Sequence, residues 1–208
     1  MSERGEKAKI AVLVSGGGTN LQALIDAEAR GELRSGTIAL VVSNNPDAYA
    51  LTRAANAGIE TLTLTRRVCG SQEAFEEKLH ETLLSHGIDL IILAGFMSIL
   101  GKTFTDRWPE RILNVHPALI PSFCGKGFYG LRVHQAALDY GVKVTGATVH
   151  YVNEIPDGGR IILQKAVEIQ DGDTPETLQK RVMEQAEWIL LPRAAELVSA
   201  KIAKEKIT

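Results

Sequence analysis

Chemistry in a folded chain needs polar groups delivered to one place, and Ile112-Leu113-Asn114-Val115-His116-Pro117 can do this within a single short segment. Side chains two apart on a strand share a face, so Asn114 and His116 project together, and Pro117, which cannot donate to a ladder, marks where strand gives way to loop. An amide and an imidazole can both donate to an oxygen that is gaining negative charge, and the imidazole can also carry a proton. Asp157, in Ile155-Pro156-Asp157-Gly158-Gly159 after another β-like run, supplies a carboxylate able to reach the same place and hold the imidazole. Taken alone, an Asn-x-His at a strand end is as compatible with a turn or cap as with catalysis, so the rest of the chain has to decide.

A second constellation lies near the start. Ile10 to Val14 is a continuous apolar run that passes into Ser15-Gly16-Gly17-Gly18-Thr19-Asn20, and Leu21, Leu24 and Ile25 follow at helical spacing. A glycine-rich turn between strand and helix leaves backbone N–H groups free at the positive end of the helix dipole, which suits a phosphate. The motif matches neither G-x-G-x-x-G nor G-x-x-x-x-G-K-[ST], so a dinucleotide or nucleoside triphosphate is disfavoured. Other reactive groups carry less. Cys124 and Ser122 lie close to His116, but nothing around Cys124 would lower its thiol pKa, which weakens a Cys-His acyl-enzyme reading. His150 in an alternating strand suits a structural hydrogen bond, His134 on a helix is expected to be exposed or lining, and His80 and His86 fall on a solvated face.

These groups need a scaffold. Apolar runs at Ile10–Val14, Thr37–Val42, Ile59–Leu64, Asp89–Ala94 and Ile112–Val115 alternate with helical stretches that include Ala48–Ala57 and one beginning at Ser71, whose buried stripe is Phe75, Leu79, Leu83 and Leu84. That alternation predicts a doubly wound, mostly parallel α/β sheet, with ligands at the carboxyl ends of its strands. After the Gly- and Pro-rich stretch 117–130, expected to be mobile, Leu131–Tyr140 is helical. Thr145–Val152 and Arg160–Ile169 then read as antiparallel strands added near the carboxyl terminus. Thr174-Pro175 opens the last helix, Pro192 is expected to kink or restart it, and Ala200–Thr208 is expected to fray. Gly95 to Leu100 leaves the fourth strand as an apolar loop suited to walling a flat ring.

Composition narrows the class. The chain has 208 residues, 45% hydrophobic and 23% charged, with a net charge of −2, so no basic field favours nucleic acid. Two cysteines, Cys69 and Cys124, make neither a disulfide framework nor a metal site. Met1 to Lys9 has no apolar signal core, and no run approaches the ~20 residues of a membrane span, so a cytoplasmic protein without membrane, metal or nucleic-acid partners is expected.

With the pieces placed, the chain resembles the phosphoribosylglycinamide formyltransferases, folate-dependent enzymes of purine synthesis, from Ile10 to about Pro192. The resemblance is carried by SGGGTN at 15–20, LAGFMSIL at 93–100, LNVHPALIPSF at 113–123, VTGATVHYV at 144–152 and the Asp157-Gly158-Gly159 turn. It implies one formyltransferase domain over 1–208, with a phosphate-binding α/β half (1–115) and a half (116–208) made of loop, antiparallel strands and carboxyl-terminal helix. The implied reaction is formyl transfer from 10-formyltetrahydrofolate, as co-substrate, to the amine of glycinamide ribonucleotide. Asn114, His116 and Asp157 would be catalytic, and Gly18, Thr19, Asn20 and Glu187 would bind the ribonucleotide. Met97, Ser98, Ile99 and Leu100, with Asn114, Asn153, Glu154, Ile155, Pro156 and Asp157, would bind the folate. Glu187 is chosen because the family places a glutamate five residues before a proline in the last helix; counting forward from Arg181 selects Ala186 instead. The chain departs from the family's arginines at Ser98 and Gln72, has Arg160 for a usual proline, and has a longer loop after Phe123. The Asn-x-His-Pro strand with a later Asp is shared by other formyl-folate enzymes, so a deformylase or a formyltransferase with another acceptor is an alternative. A noncatalytic phosphate-ligand sensor is another, and it would leave Asn114, His116 and Asp157 scattered.

Overall fold

The computed structural model describes residues 6–207; Met1–Gly5, the greater part of the charged leading segment, and Thr208 lie outside the described residues. Seven strands form one sheet: β1 (Ala8–Val14), β2 (Gly36–Ser43), β3 (Glu60–Thr63), β4 (Leu90–Leu93), β5 (Ile112–His116), β6 (Val144–Tyr151) and β7 (Ile161–Glu168). Their order is β3-β2-β1-β4-β5-β6-β7. The first five pair in parallel, and β6 and β7 join in antiparallel fashion. This is the expected α/β architecture, with strand ends within about two residues of those read from the sequence. Strand order reverses between β1 and β4, so the glycine turn after β1 and the apolar loop after β4 leave side by side. The Ser15 hydroxyl accepts the Met97 amide there at 2.8 Å.

The continuous apolar runs follow from burial on both faces. In β1, Ile10, Val12 and Val14 enter a core that includes residues of α1 (Thr19–Ala29) and α2 (Tyr49–Asn56). Ala11 and Leu13 enter the opposite core. The first core also takes residues of α6 (Leu131–Tyr140), α7 (Pro175–Val182) and α8 (Trp188–Glu205). The second is built on Phe75, Leu79 and Leu83 of α4 (Gln72–Ser85), together with Phe104 of α5 (Lys102–Thr105). A four-residue turn, α3 (Arg66–Cys69), precedes α4. The α4 stripe differs from expectation at one position. Leu84 is exposed, and Glu76 is buried in its place because its carboxylate accepts the Gly101 amide at 2.7 Å.

The carboxyl-terminal helices carry two corrections. Pro192 continues inside α8, and the irregularity expected there falls just before α8, in a π-helical turn over Met183–Glu187. The segment beyond Ala200 stays helical to Glu205: Ile202 is buried, Arg111 pairs with Glu205 at 2.6 Å, and Lys206 pairs with Asp89 at 2.7 Å. Among the described residues no helix is long and apolar enough to cross a membrane.

Candidate active site

Leu113 and Val115 of β5 enter the first core, which turns Asn114 and His116 to the other side of the sheet. Because β6 runs antiparallel, its exit at Tyr151 lies opposite Leu113, near the start of β5. The 152–160 loop therefore has to fold back toward His116 before Asp157 can act with it. It does so through a tight turn in which Asp157 adopts φ 57°, a left-handed conformation that costs energy in a non-glycine residue. Gly159 is required beside it, since a Cβ there would fall 1.7 Å from the Tyr151 carbonyl oxygen.

The turn sets Asp157 Oδ2 3.5 Å from His116 Nδ1 and Oδ1 3.6 Å from His150 Nε2. His150 Nδ1 donates to the Tyr151 carbonyl at 2.7 Å, and Nε2 accepts the Asn114 amide at 3.2 Å. That contact fixes which end of the Asn114 amide is nitrogen and leaves its second N–H for a ligand. His150 was assigned a structural role in the sequence, and the structure makes it the fourth member of the cluster. Its phase with Thr148 on β6 was the signal that could have found it. Thr148 itself donates to the Ala118 carbonyl at 2.7 Å and accepts the Ile120 amide at 3.1 Å, pinning the start of the 117–130 loop.

That loop lies against the cluster. His116 Nε2 donates to the Phe123 carbonyl at 2.8 Å, and the Gly125 amide donates to Asp157 Oδ2 at 2.8 Å. Burial pulls the His116 pKa below its ordinary value, against the upward pull of the Asp157 carboxylate and the Phe123 carbonyl. The resting ring is therefore held toward its neutral form. For Asp157 burial acts upward, but the neighbouring His150 and His116 rings and the Gly125 amide together hold its carboxyl below the usual range. The Cys124 thiol donates to the Pro121 carbonyl at 3.3 Å, and burial and Asp157 raise its pKa, so no thiolate nucleophile is prepared. His134 is fully buried, contrary to expectation; neither ring nitrogen has a partner, and burial lowers its pKa to about 4. His80 and His86 are half-buried, His80 accepting from the Trp108 indole at 3.1 Å.

At the other end of the site Gly18, at φ 74°, caps α1. The Asn20 amide donates to Glu187 Oε2 at 2.7 Å, and the Thr19 hydroxyl reaches Met183 Sδ at 3.8 Å. Glu187 is almost wholly buried, and burial raises its pKa to about 7 against the opposing Asn20 bond. The Asn20 side-chain oxygen is buried without a partner.

A family model described as formyl transferase matches residues 8–194. The chain belongs to the formyl transferase family. Among this family's curated members, the phosphoribosylglycinamide formyltransferase of Haemophilus influenzae is 43% identical, the match covering 85% of this chain and 81% of that one. The trifunctional purine biosynthetic protein adenosine-3 of Bos taurus is also 43% identical; 96% of this chain matches 19% of that protein, so the chain spans about a fifth of such relatives. The crystal structure of glycinamide ribonucleotide transformylase 1 from Symbiobacterium toebii superposes with a TM-score of 0.88 at 40% identity, covering 96% of this chain and 90% of that one.

The two positions that the counts select, Ala186 and Glu187, both lie in the π turn over Met183–Glu187. A π turn closes i to i+5 and so carries one residue more than an α turn. Arg181 and Pro192, from which the counts run, stand on either side of this turn. Ala186 points into the core and Glu187 meets Asn20. The residues assigned to the folate divide into several places. Met97 and Ile99 are exposed, and with Ser98 they line a groove of about 1050 Å³ that also contains Arg66 and Arg67. Ser98 accepts from Asn44 at 2.7 Å. The Leu100 side chain is buried in the second core, so it cannot wall that groove. Asn153 and Glu154 line an opening of about 330 Å³ with Asp106 and Arg160. Asn153 caps the Ile155 amide at 3.0 Å; Ile155 and Pro156 are exposed in the turn that carries Asp157. Among the described residues there is no group of three or more side chains suited to a metal ion.

Proposed function

We propose that this chain transfers the formyl group of 10-formyltetrahydrofolate to the amine of glycinamide ribonucleotide. The observation that carries the reading is the convergence of Asn114, His116, His150 and Asp157 within hydrogen-bonding or ion-pairing reach of one another, which a passive phosphate sensor does not require. Attack of the amine on the formyl carbon gives a tetrahedral oxyanion. The free N–H of Asn114 donates to it, and so does His116 once its bond to Phe123 is exchanged. The amine loses a proton as the new C–N bond forms, and the folate nitrogen gains one as the old C–N bond breaks. His116, neutral at rest, takes up positive charge against the Asp157 carboxylate during that passage, which places the carboxylate's contribution at the transition state. The ribonucleotide phosphate lies on the glycine turn at Gly18 and Thr19, with Asn20 and Glu187 beside its sugar. The groove at Met97–Ile99 and the turn at Asn153–Asp157 approach the folate from two sides.

The purified protein should consume both compounds one for one, followed through folate absorbance. Release of formate without formyl transfer would replace this reading with a deformylase.

A further inference from the structure

Two carbonyls of the glycine turn are held by α2. The Gly16 carbonyl accepts the Ala50 amide at 3.0 Å, and the Gly17 carbonyl accepts Arg53 Nε at 2.8 Å. Ala50 lies in the first turn of α2, where amides have no intrahelical partner, so two consecutive carbonyls of the turn are gripped by the same helix. In a trans peptide the carbonyl and the following N–H point in opposite directions. Gripping the Gly16 and Gly17 carbonyls therefore turns the N–H groups of Gly17 and Gly18 away from α2. Successive N–H groups turned to one side make an anion-binding concavity. The turn is uncrowded at these residues, since a Cβ built on Gly16 or Gly17 would meet nothing within 4 Å. The grip also explains why position 18 is glycine: a Cβ there would lie 2.6 Å from Ala50 Cβ.

Arg53 is itself held at three points. Besides the Gly17 carbonyl, its Nη1 donates to Gln22 Oε1 of α1 at 3.1 Å, and its guanidinium carbon lies 5.1 Å above the Tyr49 ring. The planar fork thus joins the turn to the helices on either side of it, a geometry that one lysine ammonium cannot reproduce.

We infer that Arg53 is a positioning residue for substrate binding: by holding the Gly17 carbonyl it aims the Gly17 and Gly18 amides at the phosphate of the ribonucleotide. This rests on the reading of the glycine turn as the phosphate site, and the test separates the two. Inorganic phosphate is titrated into the full chain while the amide resonances of Gly17 and Gly18 are followed, and steady-state kinetics are measured for the wild type, Arg53→Met and Arg53→Lys. The expected result is that phosphate shifts both amides in the wild type. In Arg53→Met the KM for the ribonucleotide should rise about 10- to 100-fold, the range of a charge-assisted hydrogen bond, with kcat and the KM for folate within about threefold. Arg53→Lys should recover little of that loss. Full recovery by lysine, or an equal rise in both KM values, would overturn the inference and leave Arg53 as a general charge or a fold contact. Absence of any phosphate shift in the wild type would overturn the phosphate reading itself, and the inference with it.

Discussion

Replacing Asp157 with asparagine separates catalysis from pocket shape, because the structure supplies its own control. Asparagine is among the non-glycine residues most tolerant of the left-handed conformation found at position 157, and its side-chain oxygen can still accept the Gly125 amide. What is lost is the charge, 3.5 Å from His116 Nδ1. At that separation, with an effective dielectric constant of about 20, attraction between carboxylate and imidazolium is about 5 kcal/mol. An amide dipole retains part of it, so a net loss of about 3 kcal/mol, or about 10²-fold in rate, is the expected scale. Because His116 is neutral at rest, the loss should fall on kcat while both KM values stay within a few fold. Adding Asn114→Ala, itself worth about 10²–10³-fold as one oxyanion donor, should give less than the product of the single effects. Steady-state kinetics of the two single variants and the double variant measure this. A near-normal kcat in Asp157→Asn, or full multiplicativity, would refute the reasoning and make Asp157 a turn residue.

Gly17→Ala should leave the fold intact and raise the KM for the ribonucleotide, whereas Gly18→Val should lower Tm, because its side chain meets Ala50 in a left-handed backbone; comparing Tm with KM for the pair checks both. Glu187 has a folded pKa of about 7 against an ordinary 4.5, so stability is fullest below about pH 4.5 and falls as pH rises toward 7, by roughly 3 kcal/mol. Urea unfolding of Glu187→Gln between pH 5 and 8 should lack that decline, and an unchanged slope would remove Glu187 as its source. His134, lowered to about 4 from 6.5, contributes stability that is present above pH 6.5 and lost as pH falls toward 4. His134→Leu should flatten this acid loss and hold or raise stability at pH 7, since no hydrogen bond is forfeited; a clear destabilisation at pH 7 would count against it.

The parallel sheet was legible because its strands are buried on both faces and their apolar runs are bounded by glycine and proline. Asn114 and His116 were legible because strand phase alone puts them on one side. The place of Asp157 rested on a loop folding back along a strand, which local pattern does not encode, and His150 was undervalued because its partners come from β5 and that same loop. Leu84 and Leu100 were misplaced for opposite reasons. The α4 stripe was drawn one residue too wide, at a point where Glu76 enters to bind Gly101. The loop after β4 was read as suited to walling a flat ring, yet Leu100 turns under it into the second core. Burial of His134 could not be foreseen from helix spacing, because an imidazole without partners is an exception to the rule that buried polar groups are satisfied.

The widened turn before α8 shows how this fold tolerates a change in chain length at its most constrained point. An inserted residue in a regular helix would rotate everything after it by about 100° and carry Glu187 away from Asn20. Confined to Met183–Glu187, the insertion is absorbed locally: Val182 before it and Leu190 and Leu191 after it all face the same core. The cost is a polar group driven into the interior, where Glu187, at the end of the bulge, meets the Asn20 amide. Deletion of one residue within this turn should therefore leave the flanking helices in place and shift only which side chain meets Asn20.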